Sequence, residues 1–519
     1  MMRRAALAVI AAAMLAVSLR ALKADRWSGW DFGDAQTLLC LNQWDKHGIL
    51  TDKFLFSPQG YAPFMQLLDR EPLRRHARGI SPRASSAGPR LLYTHYPSGY
   101  LLPQAAAYFA GFKGPGALRL LQSAFSCAAL ILLFLVFESL AGPAAGLAGI
   151  VFYALSPGFM NFADSLANQP LDDLLRFAFM LLILRKRYLW GWLCLFALSL
   201  CSYDSVLFCL LWVPAADFIA GTDRDFRRYA AFAAAPMLAG CVQLAQNAWY
   251  LGFADAAADM KSTFLLRAMT HSGLKERLAN MAYPYYHSFG LYGLIALAAG
   301  CGAFFAVRAD GGKRAAIALL ACGAVFMLAL PSAASLSYQT RQLMPFFAFC
   351  FAAAMTQWRE ISARTAAALL CGVLALFLLR LPGSFGPVPL TRDRNIALAR
   401  ALDKLPAEKP AVLFETGFFG DNGYWEKDYV RGYHQPHPLL EYYFGKKLIL
   451  SFSDPHDLAR DMRLILDGSG PVFTPIIAAK DKKTLDAATA ALKSENIIKN
   501  GSEARVFGVG DEWAAVVPL

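Results

Sequence analysis

Along this chain, apolar blocks alternate with short polar breaks, and the alternation is interrupted twice. The first interruption is a long polar stretch over residues 23–98. It opens with Asp25-Arg-Trp-Ser-Gly-Trp-Asp-Phe-Gly-Asp34 and closes on Thr94-His-Tyr-Pro-Ser-Gly-Tyr-Leu-Leu-Pro103. Its charges keep it out of hydrocarbon. The apolar blocks predict eleven membrane spans, near 5–22, 117–137, 143–157, 172–184, 188–203, 205–220, 229–250, 288–306, 315–332, 342–357 and 365–381. Their lengths are of the order a helix needs to cross a bilayer, the shorter ones borrowing polar flanks.

The second interruption follows the turn-rich linker Gly383-Ser-Phe-Gly-Pro-Val-Pro389, where the composition becomes that of a water-soluble region. Helical patterns at 395–405, 455–466 and 482–493 alternate with strand-like runs at 411–414, 448–452 and 472–477. Alternation of this kind predicts a small α/β domain. The expected organisation is a transmembrane domain over 1–384, with 23–98 as its first outer loop, and a soluble domain over 385–519. The fold class is a polytopic α-helical membrane protein with a C-terminal extracytoplasmic α/β domain.

Composition supports this class. Of 519 residues, 56% are hydrophobic and 17% charged, below the quarter or so charged residues usual in soluble domains. The net charge of +12 is read as basic cytoplasmic loops and not as a nucleic-acid surface. Nearly all ten cysteines lie inside apolar blocks, without metal-ligand spacing, so no disulfide framework is expected.

Basic clusters set the orientation. Arg185-Lys186-Arg187, the run from Arg224 to Arg228, Arg308 with Lys313-Arg314, and Arg359 with Arg364 are expected on the cytoplasmic side. The loops 23–98, 158–171, 251–287 and 333–341 and the C-terminal region then lie outside. Met1-Met-Arg3-Arg4 before the first block fits a signal peptide or a retained helix, and the orientation downstream works with the helix retained. The apolar piece 99–112, with Pro103 inside it, is read as a re-entrant or interfacial helix, since a span there would invert every later loop.

The first loop resembles the start of the GT-C superfamily of polyprenyl-phosphate-sugar-dependent glycosyltransferases, in the branch of the dolichyl-phosphate-mannose protein mannosyltransferases and the lipid A aminoarabinose transferases. The residues that carry the resemblance are Asp34 after the first helix and Gly48 fourteen residues on, then Tyr96-Pro97, Arg119-Leu120, Ser156-Pro157, Asp172-Asp173 and Tyr338-Gln-Thr-Arg341-Gln-Leu-Met-Pro345. Two positions depart from the pattern: Ala35 stands where a Glu is usual, and Asp164 where an Arg is often found.

The resemblance implies transfer of a sugar from a polyprenyl phosphate to a lipid, glycan or protein acceptor, outside the cytoplasmic membrane. Such a reaction needs a carboxylate base at the membrane surface. Asp34 is the candidate, against a reading as a helix N-cap; Asp31, three residues earlier, shares the site or only turns the chain. Arg341 offers a guanidinium fork to the leaving phosphate, against a reading as a snorkelling anchor. Lys261 and Arg267, basic residues in an outer loop, face phosphate or are simply solvated. His95, Tyr96, Tyr338 and Asp173 are the substrate-binding candidates; the bland readings are an aromatic interfacial belt and a helix N-terminus that favours acid. Asp31, Asp34 and His95 could offer ligands to a divalent metal, although no spacing signature supports one, and no cofactor is otherwise implied. Two rival functions are a flippase for a lipid-linked glycan, which requires polar residues along a path through the helices, and a non-catalytic envelope assembly protein.

Overall fold

The apolar blocks among the described residues become helices; most of the span expected at 365–381 lies outside them. The computed structural model describes residues 1–23, 28, 31–56, 92–94, 96–268, 274–306, 310–330, 336–357, 372–377, 379, 400, 411–416, 433–434, 449–452, 459, 474–479, 481–495, 497, 505–509 and 512–516. They fall into two compact units. One comprises 1–34, 95–245 and 260–387; the other comprises 35–94, 246–259 and 388–519.

In the first unit, α1 (Met2–Ala21) packs on α4 (Pro115–Leu155), with α3 (Leu102–Phe109) between them in sequence. α2 (Asp31–His47) begins in this unit and continues in the other. The long α4 is two helices. Gly142 has φ +87° and Pro143 follows it, so the ladder breaks there, and Gly146 returns so close to Phe134 that an added Cβ would lie 2.9 Å from its ring. This hairpin corresponds to the two spans expected at 117–137 and 143–157. α3 has eight residues, about 12 Å of helix, and is too short to cross hydrocarbon.

After α5 (Pro157–Met160) come α6 (Gln169–Leu184), α7 (Tyr188–Cys201), α8 (Val206–Ala220) and α9 (Phe226–Leu251). Then follow α10 (Phe253–Ala268), α11 (Leu274–Ala306), α12 (Asp310–Ala329) and α13 (Met344–Gln357). α10 and the first half of α11 occupy the stretch 251–287, expected as a loop. Its alanine-rich start, Phe253-Ala-Asp-Ala-Ala-Ala-Asp, has high helix propensity despite its charge. Among the described residues, three helices are long and apolar enough to cross a membrane: Met2–Ala21, Pro115–Leu155 and Gly312–Ala329. α7, α8 and α13 are apolar but only 14–15 residues long. One core runs through the bundle, with Phe152 stacked on Phe351 at 4.9 Å and Phe137 against Phe349 at 5.8 Å. The chain is thus a polytopic helical membrane protein.

The second unit contains a six-stranded sheet of β1 (Ala411–Thr416), β2 (Tyr433–His434), β3 (Ile449–Phe452), β4 (Thr474–Ala479), β5 (Arg505–Val509) and β6 (Glu512–Val516), in the order β2-β3-β1-β4-β6-β5. β1 is central and parallel to both β3 and β4, with Leu413 opposite Ile449 and Ile476. α14 (Lys482–Ser494) follows β4. Asp481 caps it by accepting from the Thr484 N–H at 2.7 Å, and Leu485, Ala488 and Leu492 form its buried face. β1, β3, β4 and α14 fall on the strand and helix patterns expected from sequence, and the β5–β6 hairpin is additional to them. Two residues, Gly510-Asp511, separate those strands, a spacing and composition that signal a hairpin. Most of the helical patterns expected at 395–405 and 455–466 lie outside the described residues.

Candidate active site

Asp34 lies in the first turn of α2, which begins at Asp31, so it is inside the helix and not its cap. Its carboxylate is fully buried. One oxygen accepts the Ser165 hydroxyl at 2.8 Å and the Leu166 N–H at 2.7 Å; the other accepts the Ser28 N–H at 3.2 Å. Burial pushes its carboxyl up to about 6, while Arg119 and the hydrogen bonds from Ser28 and Ser165 pull the other way.

Beside it, Asp164 is paired with two arginines at once, Arg20 from the last turn of α1 and Arg119 from the first turn of α4. All three side chains are buried. Arg119 also acts on the Asp34 carboxylate, which couples the pair to the neighbouring acid. In sequence, Asp164 stands out only as a departure from a pattern, and Arg20 belongs to no motif. The available signal was that ionisable residues at the edges of apolar blocks require partners.

A second buried network centres on Arg341, in the 3₁₀ turn Ser337–Gln342. Its guanidinium lies 2.8 Å from Asp172, 3.1 Å from Asp173 and 3.9 Å from Asp204. It is 2% exposed, so the snorkelling reading does not describe it. Arg176 joins the network by donating to Asp173 at 2.7 Å and to Gln342 at 3.0 Å. Gln339 donates to Asp204 at 2.9 Å.

Tyr96 is brought near this network. Its hydroxyl accepts from Asn168 at 2.7 Å and pairs with Ser202 at 2.8 Å, and its ring meets Tyr203 edge-on. Gly99 allows that approach: a Cβ there would lie 2.4 Å from the Leu200 carbonyl oxygen. Tyr338 is half-buried with its ring against Phe162, and Lys261 is exposed. His95 and the side chains of Asp31 and Arg267 lie outside the described residues. Asp173 and Arg341 are therefore in contact, while Asp34 belongs to a separate network. The short segment 164–173 supplies both: Asp164, Ser165 and Leu166 to the first, Asn168 and the two aspartates to the second. Among the described residues, no group of three His, Cys, Asp or Glu side chains is arranged to hold a metal ion.

No protein-family model and no curated protein sequence matches this chain. Solved structures do. ArnT from Cupriavidus metallidurans bound to undecaprenyl phosphate is similar with a TM-score of 0.54 at 12% identity, over 99% of this chain and 97% of that one. Its apo state gives 0.50 at 12% identity, over 88% and 92%. The arabinofuranosyltransferase AftD from Mycobacteria gives 0.51 at 14% identity, over 100% of this chain but 40% of that one. The chain thus shares the fold of these glycosyltransferase structures, at 12–14% identity.

Proposed function

We propose that this protein is an integral membrane glycosyltransferase that moves a sugar from a polyprenyl phosphate to an envelope acceptor. The observation that carries this reading is Asp34, a buried carboxylate held by three donors beside a doubly paired Asp164. Asp34 takes the proton from the acceptor hydroxyl as its oxygen bonds to the anomeric carbon. The bond from that carbon to the phosphate oxygen breaks, the lipid phosphate leaves, and a single displacement inverts the centre. Arg20 and Arg119 pair with Asp164, whose neighbour Ser165 donates to Asp34, and we assign them the charge on the departing phosphate. Arg341 serves the phosphate only if Asp172 and Asp173 give up their hold on it, whereas exposed Lys261 is available at the surface. Support for a lipid-linked donor comes from the likeness in fold to a structure holding undecaprenyl phosphate.

The direct test is to incubate the purified protein with labelled polyprenyl phosphate sugars and an envelope lipid extract, and to follow transfer. A pH series sharpens it. The base is active only when ionised, so kcat/KM is expected to rise about tenfold per pH unit below 6 and to level off above it. A flat profile between pH 5 and 7 argues against Asp34 as the base.

The charge pattern of the short loops supports a reading in which the first loop and residues 385–519 lie outside the cytoplasm. A phosphatase fused after Leu519 is then expected to be active, and a reporter that needs the cytoplasm inactive. The opposite pattern overturns the orientation. The flippase reading draws on the buried Arg176–Arg341–carboxylate network, since charges among apolar helices also mark transport paths. It predicts that loss of Asp34 leaves function intact.

A further inference from the structure

Three turns far apart in sequence meet at one end of the helical bundle. The first is 185–187, between α6 and α7; the second is 221–225, between α8 and α9; the third is the start of α12. Contacts join them. Arg228 donates to the Tyr188 hydroxyl at 2.8 Å and is paired with Asp217, which also accepts from the Tyr229 hydroxyl at 2.7 Å. The Arg314 guanidinium sits over the Phe218 ring at 5.8 Å, and a Cβ on Gly221 would lie 3.1 Å from it.

These contacts use up the Asp217 carboxylate and leave the basic side chains in excess. Arg185, Lys186, Arg187, Arg224, Arg227 and Arg314 are exposed, and among the described residues none is in an ion pair. Asp223 and Asp225 are the acidic residues of the second turn and Asp310 opens α12; Asp225 caps the Arg228 N–H at 3.1 Å. Around the charges stand exposed apolar side chains: Leu189 at 69%, Trp190 at 62% and Phe226 at 71%. A cationic surface rimmed by an indole and aliphatic groups, at the end of apolar helices, matches the chemistry of a bilayer interface with acidic headgroups. Scattered positive-inside charges would set topology alone. Here packing gathers them onto one face around a consumed acid.

We propose that this face is a seat for anionic phospholipid headgroups of the leaflet on that side, holding the ends of α6, α8 and α12 in register. The test uses the full chain purified in a neutral detergent. Thermal stability is measured against added phosphatidylglycerol, phosphatidylcholine or inorganic phosphate. Phosphatidylglycerol is expected to raise the midpoint in a saturable way, and the other two are not. Five exchanges, Arg185→Ala, Lys186→Ala, Arg187→Ala, Arg224→Ala and Arg227→Ala, are expected to weaken that dependence by more than about tenfold, because each basic group near an acidic surface contributes several-fold. Without lipid, the midpoint should stay at the wild-type value. Should the fivefold variant fail to fold, Arg187→Glu alone is expected to weaken phosphatidylglycerol binding. Equal stabilisation by phosphatidylcholine, reproduction of the effect by inorganic phosphate, or wild-type lipid dependence in either variant overturns the proposal.

Discussion

Asp34→Asn protein is expected to fold and to lose sugar transfer by about a hundredfold to ten-thousandfold, the usual cost of removing a general base. Asparagine keeps the size of aspartate and an oxygen for the Ser165 hydroxyl and Leu166 N–H. Its amide nitrogen would face the Ser28 N–H, donor against donor, which costs about 1–3 kcal/mol. Relief from burying a charge offsets that loss, so the thermal midpoint should move little. Lipid donor binding is expected to remain, because the base acts on the acceptor. The measurement pairs a transfer assay with a binding assay on the same preparation. Transfer within a few-fold of wild type by a folded Asp34→Asn protein removes Asp34 as the base and favours the flippase reading.

Arg341→Ala is expected to have its largest effect on stability. Removing one partner of a buried ion pair typically costs about 3–5 kcal/mol, because the remaining charge keeps its desolvation penalty without compensation. Here the loss takes a guanidinium from Asp172, Asp173 and Asp204 at once, and Arg176 still pairs with Asp173. The thermal midpoint should fall by many degrees. Arg341→Lys, which keeps the charge but loses the planar fork, should fall part-way. If the alanine variant instead melts like wild type while its KM for the donor rises, Arg341 contacts the phosphate and the carboxylates release it during the reaction.

Much of the membrane architecture was legible from hydropathy because a bilayer penalises every unsatisfied backbone group. The α4 hairpin was readable from Gly142-Pro143, and β1, β3 and β4 from β-branched and aliphatic runs between turn residues. The helices within 251–287 were not legible, because hydropathy reports burial in lipid, whereas helix formation there follows from local propensity. The site was legible in part. Asp34 stood out by its place after the first apolar block. Its surroundings did not, since Arg20, Arg119 and Asp164 are separated by up to 144 residues and nothing local couples them. Arg341 was visible as a cation at a helix start. Its burial among three carboxylates is a product of packing and leaves no trace in spacing.

The hydrogen-bond donors that hold the Asp34 carboxylate come from Ser28 on one side and from Ser165 and Leu166 on the other. During synthesis, therefore, a nascent chain that has made α1, the first loop and the α4 hairpin still lacks two of the donors that hold this carboxylate. On the proposed reading of Asp34 as the base, competence for chemistry is expected only once the ribosome has passed Leu166 and that segment has docked. Biogenesis would then time the onset of activity to the assembly of the bundle around Asp34.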